Sequence, residues 1–207
     1  MSNRKEKHEH GRLFCRYRDR GDVSAFDRLL KEYEGALYSY LMRFLRTPAD
    51  AEDAFQEVWL KVIRKADSYD ERGQFSSWLY RIAHNHSLDV LRRRGRMVEL
   101  DDDTAQGEPA LWSDGLCDLG KSPFEVLEER ELLDHLDEAV AGLSPAIREV
   151  FLLRTSANLS FREIGEILGC PLGTVLGRMR QAVLKIRKRF EEMGLTTAKK
   201  NNAASTA

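Results

Sequence analysis

The feature that most constrains this chain of 207 residues is a break near its middle. From Gly95 to Pro123 no apolar periodicity persists, and only scattered apolar residues such as Leu111, Trp112 and Leu116 occur. Between Gly95 and Val126 eight acidic residues (Glu99, Asp101, Asp102, Asp103, Glu108, Asp114, Asp118, Glu125) face two basic ones, Arg96 and Lys121. Such a segment cannot bury enough apolar surface to order itself and reads as a linker. Apolar residues at helical spacing lie on both sides of it, and no strand pattern is present. The expected fold is therefore all-α: two small helical domains, residues 22–94 and 124–192, joined by a flexible acidic linker over 95–123. Residues 1–21 are expected as a mobile tail and 193–207 as a disordered one.

In the first region Tyr33, Leu37, Leu41 and Leu45 recur every fourth residue, one face of a helix. Thr47-Pro48 breaks that pattern and starts a second helix, where proline is tolerated in the first turn. Ala51, Phe55, Val58, Trp59 and Val62 form its apolar stripe, and Asp50, Asp53, Gln56 and Glu57 lie opposite. Asp67 to Gln74 reads as a loop around Gly73. Phe75 to Arg94 reads as a third helix, with Trp78, Leu79, Ile82, Leu88 and Leu91 as its buried residues.

In the second region Phe124 to Ala141 reads as one helix. Ser144-Pro145 starts the next, serine as N-cap and proline at the first helical position. Ser160-Phe161-Arg162-Glu163 fits a capping box. Gly169 is placed to end that short helix, and Cys170-Pro171 opens the last one, with Val175, Met179, Ala182 and Ile186 inward. From Leu172 to Phe190 there are six basic residues and no acidic one. Two short helices, a glycine turn and a basic second helix make a helix-turn-helix pattern, whose second helix enters the major groove. A solvated basic helix in an ordinary bundle is the alternative. In the groove-reading case Gly173, Thr174, Leu176, Gly177, Arg180 and Gln181 face outward; Arg180 can pair with a guanine edge and Gln181 with adenine.

Tyr69, Phe75, Trp78 and Tyr80 cluster near the loop, with Arg81, Arg92, Arg93 and Arg94 nearby. Aromatics beside cations suit single-stranded DNA, whose bases need a π-face and whose phosphates need countercharge. Trp78 is as readily a core residue; Tyr69, in the loop, is the better base platform.

Other function classes find no support. His84 and His86, two residues apart on a helix, point to different faces and make no i, i+4 metal pair. There is no glycine-rich phosphate loop and no nucleophile with a base, so neither an enzyme nor a small-molecule substrate is expected, and no cofactor or metal. His8, His10 and Cys15 fall short of a metal site. Cys15, Cys117 and Cys170 are scattered and odd in number, which fits a reducing cytoplasm better than a disulfide framework. No long apolar run suggests membrane insertion, and the N-terminus lacks a secretory pattern.

These residues resemble a known family. Phe26 to Arg94 is similar to the second conserved region of extracytoplasmic-function sigma factors, within the sigma-70 family. Asp50-Ala51-Glu52-Asp53-Ala54-Phe55-Gln56-Glu57-Val58-Trp59 resembles the family's polymerase-docking helix. Phe75-Ser76-Ser77-Trp78-Leu79-Tyr80-Arg81-Ile82-Ala83-His84-Asn85 resembles its promoter-melting segment. Leu127 to Phe190 resembles the fourth region, best matched at Cys170-Pro171-Leu172-Gly173-Thr174-Val175. The resemblance implies a non-enzymatic initiation factor whose partners are core RNA polymerase, promoter DNA and an anti-sigma factor. It implies docking on polymerase through Asp50, Asp53, Gln56 and Glu57. It places Tyr69 and Asn85 at a flipped minus-ten base, with Trp78, Asp89, Arg92 and Arg93 along the same DNA, and Thr174, Leu176, Gly177, Arg178, Arg180 and Gln181 at the minus-thirty-five element. The acidic linker would run through the RNA-exit path. Where the family carries a basic residue and a serine after Gly-Thr-Val, this chain has Leu176 and Gly177, so a relative's promoter sequence does not transfer. A sigma-like mimic that sequesters an anti-sigma factor without binding DNA is the alternative.

Overall fold

A computed structural model describes residues 2–70, 74–94 and 133–194, and every regular element among them is helical. Four long helices form the N-terminal half: α1 (Ser2–Arg20), α2 (Val23–Leu45), α3 (Pro48–Arg64) and α4 (Phe75–Arg93), with a 3-10 turn at Ala66–Ser68 between the last two. The C-terminal half comprises a helical segment over 133–141 (α5), then α6 (Pro145–Thr155), α7 (Phe161–Leu168) and α8 (Leu172–Glu192). The acidic segment 95–123 and the expected helix start at 124–132 lie outside the described residues, as does the tail beyond 194.

The expected mobile tail over residues 1–21 is replaced by α1, which packs on α2 and α4. Its sequence is rich in charge, but Leu13, Phe14 and Cys15 are buried, and Phe14 completely so. The Phe14 ring lies 4.9 Å from Phe75, 5.2 Å from Tyr69 and 5.3 Å from Trp78, centroid to centroid. A deeply seated aromatic of this kind, with Leu13 and Cys15 beside it, anchors a helix that is otherwise rich in charge. His10 contacts the Tyr33 hydroxyl through Nδ1 at 2.8 Å, which gives it a packing role.

Gly21 joins α1 to α2 at φ 64, a left-handed conformation that glycine adopts without a Cβ clash. Asp22 then caps α2. Its carboxylate accepts from the Ser24 hydroxyl at 2.7 Å and the Ala25 amide at 3.1 Å, and these bonds hold its pKa below the usual carboxylate range. The every-fourth-residue face of α2 is buried as its spacing predicts: Tyr33, Leu37, Leu41 and Leu45 are all inside. Pro48 sits at the start of α3, and Ala51, Val58, Trp59 and Val62 face the core, with Phe55 half-buried. On α4 the buried set is wider than the apolar spacing suggests. Tyr80 and Ala83 are fully inside beside Leu79, while Trp78 and Leu88 are only half-buried.

The C-terminal half relies on caps. Ser144 precedes Pro145 at the start of α6, but its side chain makes no capping bond. The Ser160–Glu163 capping box is present in both directions, the serine oxygen accepting the Glu163 amide and the carboxylate accepting the Ser160 amide at 2.7 Å. Gly169 ends α7 at φ 65. Arg148, in α6, is buried without a carboxylate among its hydrogen-bond partners. It donates to the carbonyls of Val140 (3.1 Å), Ala141 and Leu143 (2.7 Å each) where α5 ends, the Val140 carbonyl also accepting from the Leu143 amide. Burial, with Arg46 nearby, pulls its pKa down to about 10.

The two halves meet: α2 packs on α6 and α4 on α7, and one apolar cluster contains residues from both.

Candidate polymerase and DNA interfaces

Three helices carry the residues expected to act, and the fold gives each a different exposure. On α3, Asp53 and Gln56 are exposed and Glu57 is half-buried. They border an open cleft of about 700 Å³ between α3 and α4, closed on the far side by Val90 and Arg93. Asp50 is not part of the free surface. It is 6% exposed and paired with Arg94 at the end of α4, so it fastens two helices together. The sequence pattern places it with its acidic neighbours; its partner lies too far along the chain for local spacing to reveal. Leu60 (42% exposed) and Ile63 (41%) extend the same helix and add an apolar component that spacing arguments passed over.

In the cleft, Lys61 Nζ lies 2.7 Å from His86 Nδ1. Lysine has only donors, so this ring nitrogen accepts and the imidazole is neutral. Burial and the adjacent Lys61 push the His86 pKa below its usual value.

On α4, Asn85, Asp89, Arg92 and Arg93 are exposed, and their spacing puts them on one stripe. Arg92 approaches Asp89 at 3.7 Å, and Arg93 Nε donates to the Asp89 carbonyl at 3.2 Å. Tyr69, expected as an exposed base platform, is buried. It is 4% exposed, its ring 5.2 Å from both Phe14 and Trp78, and Arg18 donates to its carbonyl. A base cannot stack on it while α1 is in place. Trp78 shares that cluster and is half-buried.

On α8 only Val175 and Ala182 are buried, so most of the helix meets solvent. Gly173 and Arg180 are the exposed residues of the expected reading set; Thr174, Leu176 and Gly177 are half-buried. Arg178 turns back to within 4.0 Å of Cys170 Sγ. Gln181 departs from the expectation of a free adenine reader, because its Oε1 is buried. Further along, Arg187, Lys188 and Arg189 pair with Glu191 and Glu192, and Arg189 also with Glu138. No group of His, Cys, Asp or Glu among the described residues is arranged to hold a metal ion. No described helix is long and apolar enough to cross a membrane.

Comparison with known proteins agrees with this layout. Residues 29–97 match the family model "Sigma-70 region 2", and residues 139–188 match "Sigma-70, region 4". The two regions, in this order and on these helices, define a sigma factor. The chain is 31% identical over 174 residues to the ECF RNA polymerase sigma factor SigW of Bacillus subtilis, covering 84% of this chain and 93% of the relative. It is 31% identical over 163 residues to the ECF RNA polymerase sigma-E factor of Escherichia coli, covering 79% and 85%. It belongs to the extracytoplasmic-function sigma factors of the sigma-70 family. Its fold resembles that of CnrH, solved with the cytosolic domain of CnrY (TM-score 0.63, 20% identity, 89% of this chain and 98% of that one). It also resembles the sigma factor RpoE of Bartonella quintana, solved with the anti-sigma factor NepR (TM-score 0.60, 23% identity, 80% and 96%).

Proposed function

We propose that this sigma factor, itself not an enzyme, works in the cytoplasm by docking α3 on core RNA polymerase and presenting α4 and α8 to promoter DNA. The observation that carries this reading is the stripe Asn85–Asp89–Arg92–Arg93, exposed on one side of α4 at the edge of the cleft that Asp53, Gln56 and Glu57 border. Asp53, Gln56 and Glu57 supply polar contacts that favour specificity and fast association, and Leu60 adds apolar area. Asn85 hydrogen-bonds a base extruded from the minus-ten element, while Arg92 and Arg93 hold adjacent phosphates. Tyr69 and Trp78 support this face from beneath and do not stack on DNA. Arg180 reads the minus-thirty-five element, with Thr174, Leu176 and Gly177 against the groove wall and Arg178 beside them. The acidic segment 95–123 occupies the RNA-exit path until the transcript displaces it. The anti-sigma partners named for the similar structures point to an anti-sigma factor as this chain's regulator.

Run-off transcription on genomic promoter fragments, with purified core polymerase, tests the reading. Transcripts that start at defined sites only when the chain is added are expected. A charge reversal of Asp53 and Glu57 to Lys should abolish core binding. Arg180→Ala should reduce transcription about tenfold or more, the loss of one bidentate base contact. Core binding without transcripts would favour sequestration of a regulator as the function.

A further inference from the structure

One row of α8 is apolar where a groove-reading helix is expected to be polar. Leu172, Leu176 and Arg180 follow one another at one-turn spacing. Leu172 is 47% exposed, and Leu176, one turn on, is half-buried. Arg180 ends the row in solvent. Gly173, beside Leu172, is exposed, and a Cβ there would meet nothing within 4 Å. The fold therefore does not call for glycine at that position, and the bare backbone lets the first turn lie close against what it meets.

The polar side chains that could read bases are turned away from this row. Arg178 lies within 4.0 Å of Cys170 Sγ. Gln181 has its Oε1 buried, and a bidentate contact with adenine needs both the oxygen and the nitrogen of the amide. The helix nevertheless carries no acidic residue from Leu172 to Phe190, and Arg180 and Lys185 stand in solvent. That charge draws phosphates, so the occupant of the leucine row is duplex DNA.

An apolar side chain has one base feature to recognise in the major groove, the C5 methyl of thymine. Laid against cytosine N4 or adenine N6 it would leave a donor without a partner, which disfavours those bases. Four residues of helix rise about 6 Å, close to two base steps of about 3.4 Å. Leu172 and Leu176 thus meet bases about two steps apart, and Arg180 reaches a guanine beyond them. We infer that Leu172 and Leu176 read thymine methyl groups in the minus-thirty-five element and set its base preference there. This inference rests on the proposed assignment of α8 to that element.

The test uses holoenzyme made from the full chain and core polymerase, on a promoter mapped by run-off transcription. Each thymine of the minus-thirty-five element is replaced in turn by deoxyuridine, which pairs with adenine in the same way but lacks the methyl group. Wild-type run-off should fall about fourfold at one or two of these positions, the effect of one buried group of that size. Leu172→Ala and Leu176→Ala should each fall by a similar factor on the thymine template, and then lose nothing more from uridine at their own position. Leu184→Ala removes another exposed leucine two turns beyond Leu176, and should respond to uridine as the wild type does. If Leu176→Ala folds poorly, the uridine series on the unaltered chain and Leu172→Ala decide. A wild-type holoenzyme indifferent to uridine throughout the element overturns the inference. So do leucine variants that lose transcription but keep the full wild-type response to uridine, the mark of a face that meets protein. Arg180→Ala separates the two levels. If it lowers run-off while uridine has no effect, only methyl reading falls; if scrambling the minus-thirty-five element leaves run-off unchanged, the assignment of α8 falls with it.

Discussion

The N-terminal and C-terminal halves are both helical, but they hold their helices together by different means. The first builds its core from aromatic rings: Phe14, Phe26, Tyr33, Tyr40, Phe44, Trp59, Tyr69, Phe75 and Tyr80 are all buried. The second builds from aliphatic side chains, among them Leu143, Ile147, Val150, Leu152, Leu153, Ile164 and Val175. It adds polar devices: Arg148 on three carbonyls, the Ser160–Glu163 box and Glu149 against the other half. Helices as short as α7 gain little from propagation and depend on caps and tertiary contacts. Large rings bury more area per residue, so the first half leans more on packing, with the Asp22 cap and the Asp50–Arg94 pair added to it. It also leaves α3 and α4 rigid enough to present two surfaces at once. The second half packs α8 on α6 and α7 along one face and leaves its other face, with Arg180, Lys185 and Arg187, in solvent.

The largest expected effect tests the aromatic half. Phe14→Ala should cost about 4 kcal/mol in chemical denaturation, the penalty for emptying a packed aromatic site. It should also free Tyr69, seen as increased fluorescence quenching of the neighbouring Trp78 by added iodide. If the amides of α6 lose hydrogen-exchange protection together with those of α2, the two halves unfold as one unit and the contrast between them is one of construction only. Protection lost on α2 alone would make them separate folding units. The next effect tests the polar half. Arg148→Met should cost about 3 kcal/mol, because it takes the guanidinium from the Ala141 and Leu143 carbonyls. A loss below about 1 kcal/mol would mean that water replaces the guanidinium there.

The regular framework was legible because it follows helical spacing. Leu37, Leu41, Val58 and Val62 are fully buried where the period puts them. The capping box and the Gly169 stop appear where Ser160, Glu163 and Gly169 are written. Failures arose where the deciding partner is distant in sequence. Asp50 looks like its acidic neighbours until Arg94 arrives from α4. Arg148 and Glu149 stand side by side in a helix and are both buried, one by carbonyls of the preceding helix end and the other by Tyr40 and His84. Tyr69 lies among polar residues and so reads as exposed, yet α1 covers it. The charge of α1 hid its role, although Leu13-Phe14, Tyr17 and the Gly21-Asp22 break carry the signal of a docked helix followed by a capped one.

A smaller effect asks whether caps matter as much as proposed in the C-terminal half. Ser160→Ala should cost about 1 kcal/mol, since it removes the acceptor for the Glu163 amide and leaves the Glu163 contact with Ser77 available. The loss should appear as faster amide exchange in the first turn of α7. An unchanged rate would mean that packing on α4, and not the cap, starts that helix.

The smallest effect concerns the polar contact within the aromatic half. His86 has a pKa below its usual value, first because of burial and then because of Lys61. A base with a depressed folded pKa binds fewer protons when folded than when unfolded. Its contribution to stability is therefore complete above the unfolded value of about 6.5 and is lost as pH falls through the folded pKa. NMR titration of the His86 ring should give a midpoint below about 6.5, and Lys61→Met should move it upward by removing the neighbouring charge. Because Lys61 and His86 both line the docking cleft, protonation would place a second positive charge beside Asp53 and Glu57. Core binding should then weaken as pH falls in the wild-type chain, and do so less in His86→Gln. A midpoint at or above about 6.5 would mean that Glu57 and Asp89 outweigh burial and Lys61, and that this contact is as charge-paired as those of the C-terminal half.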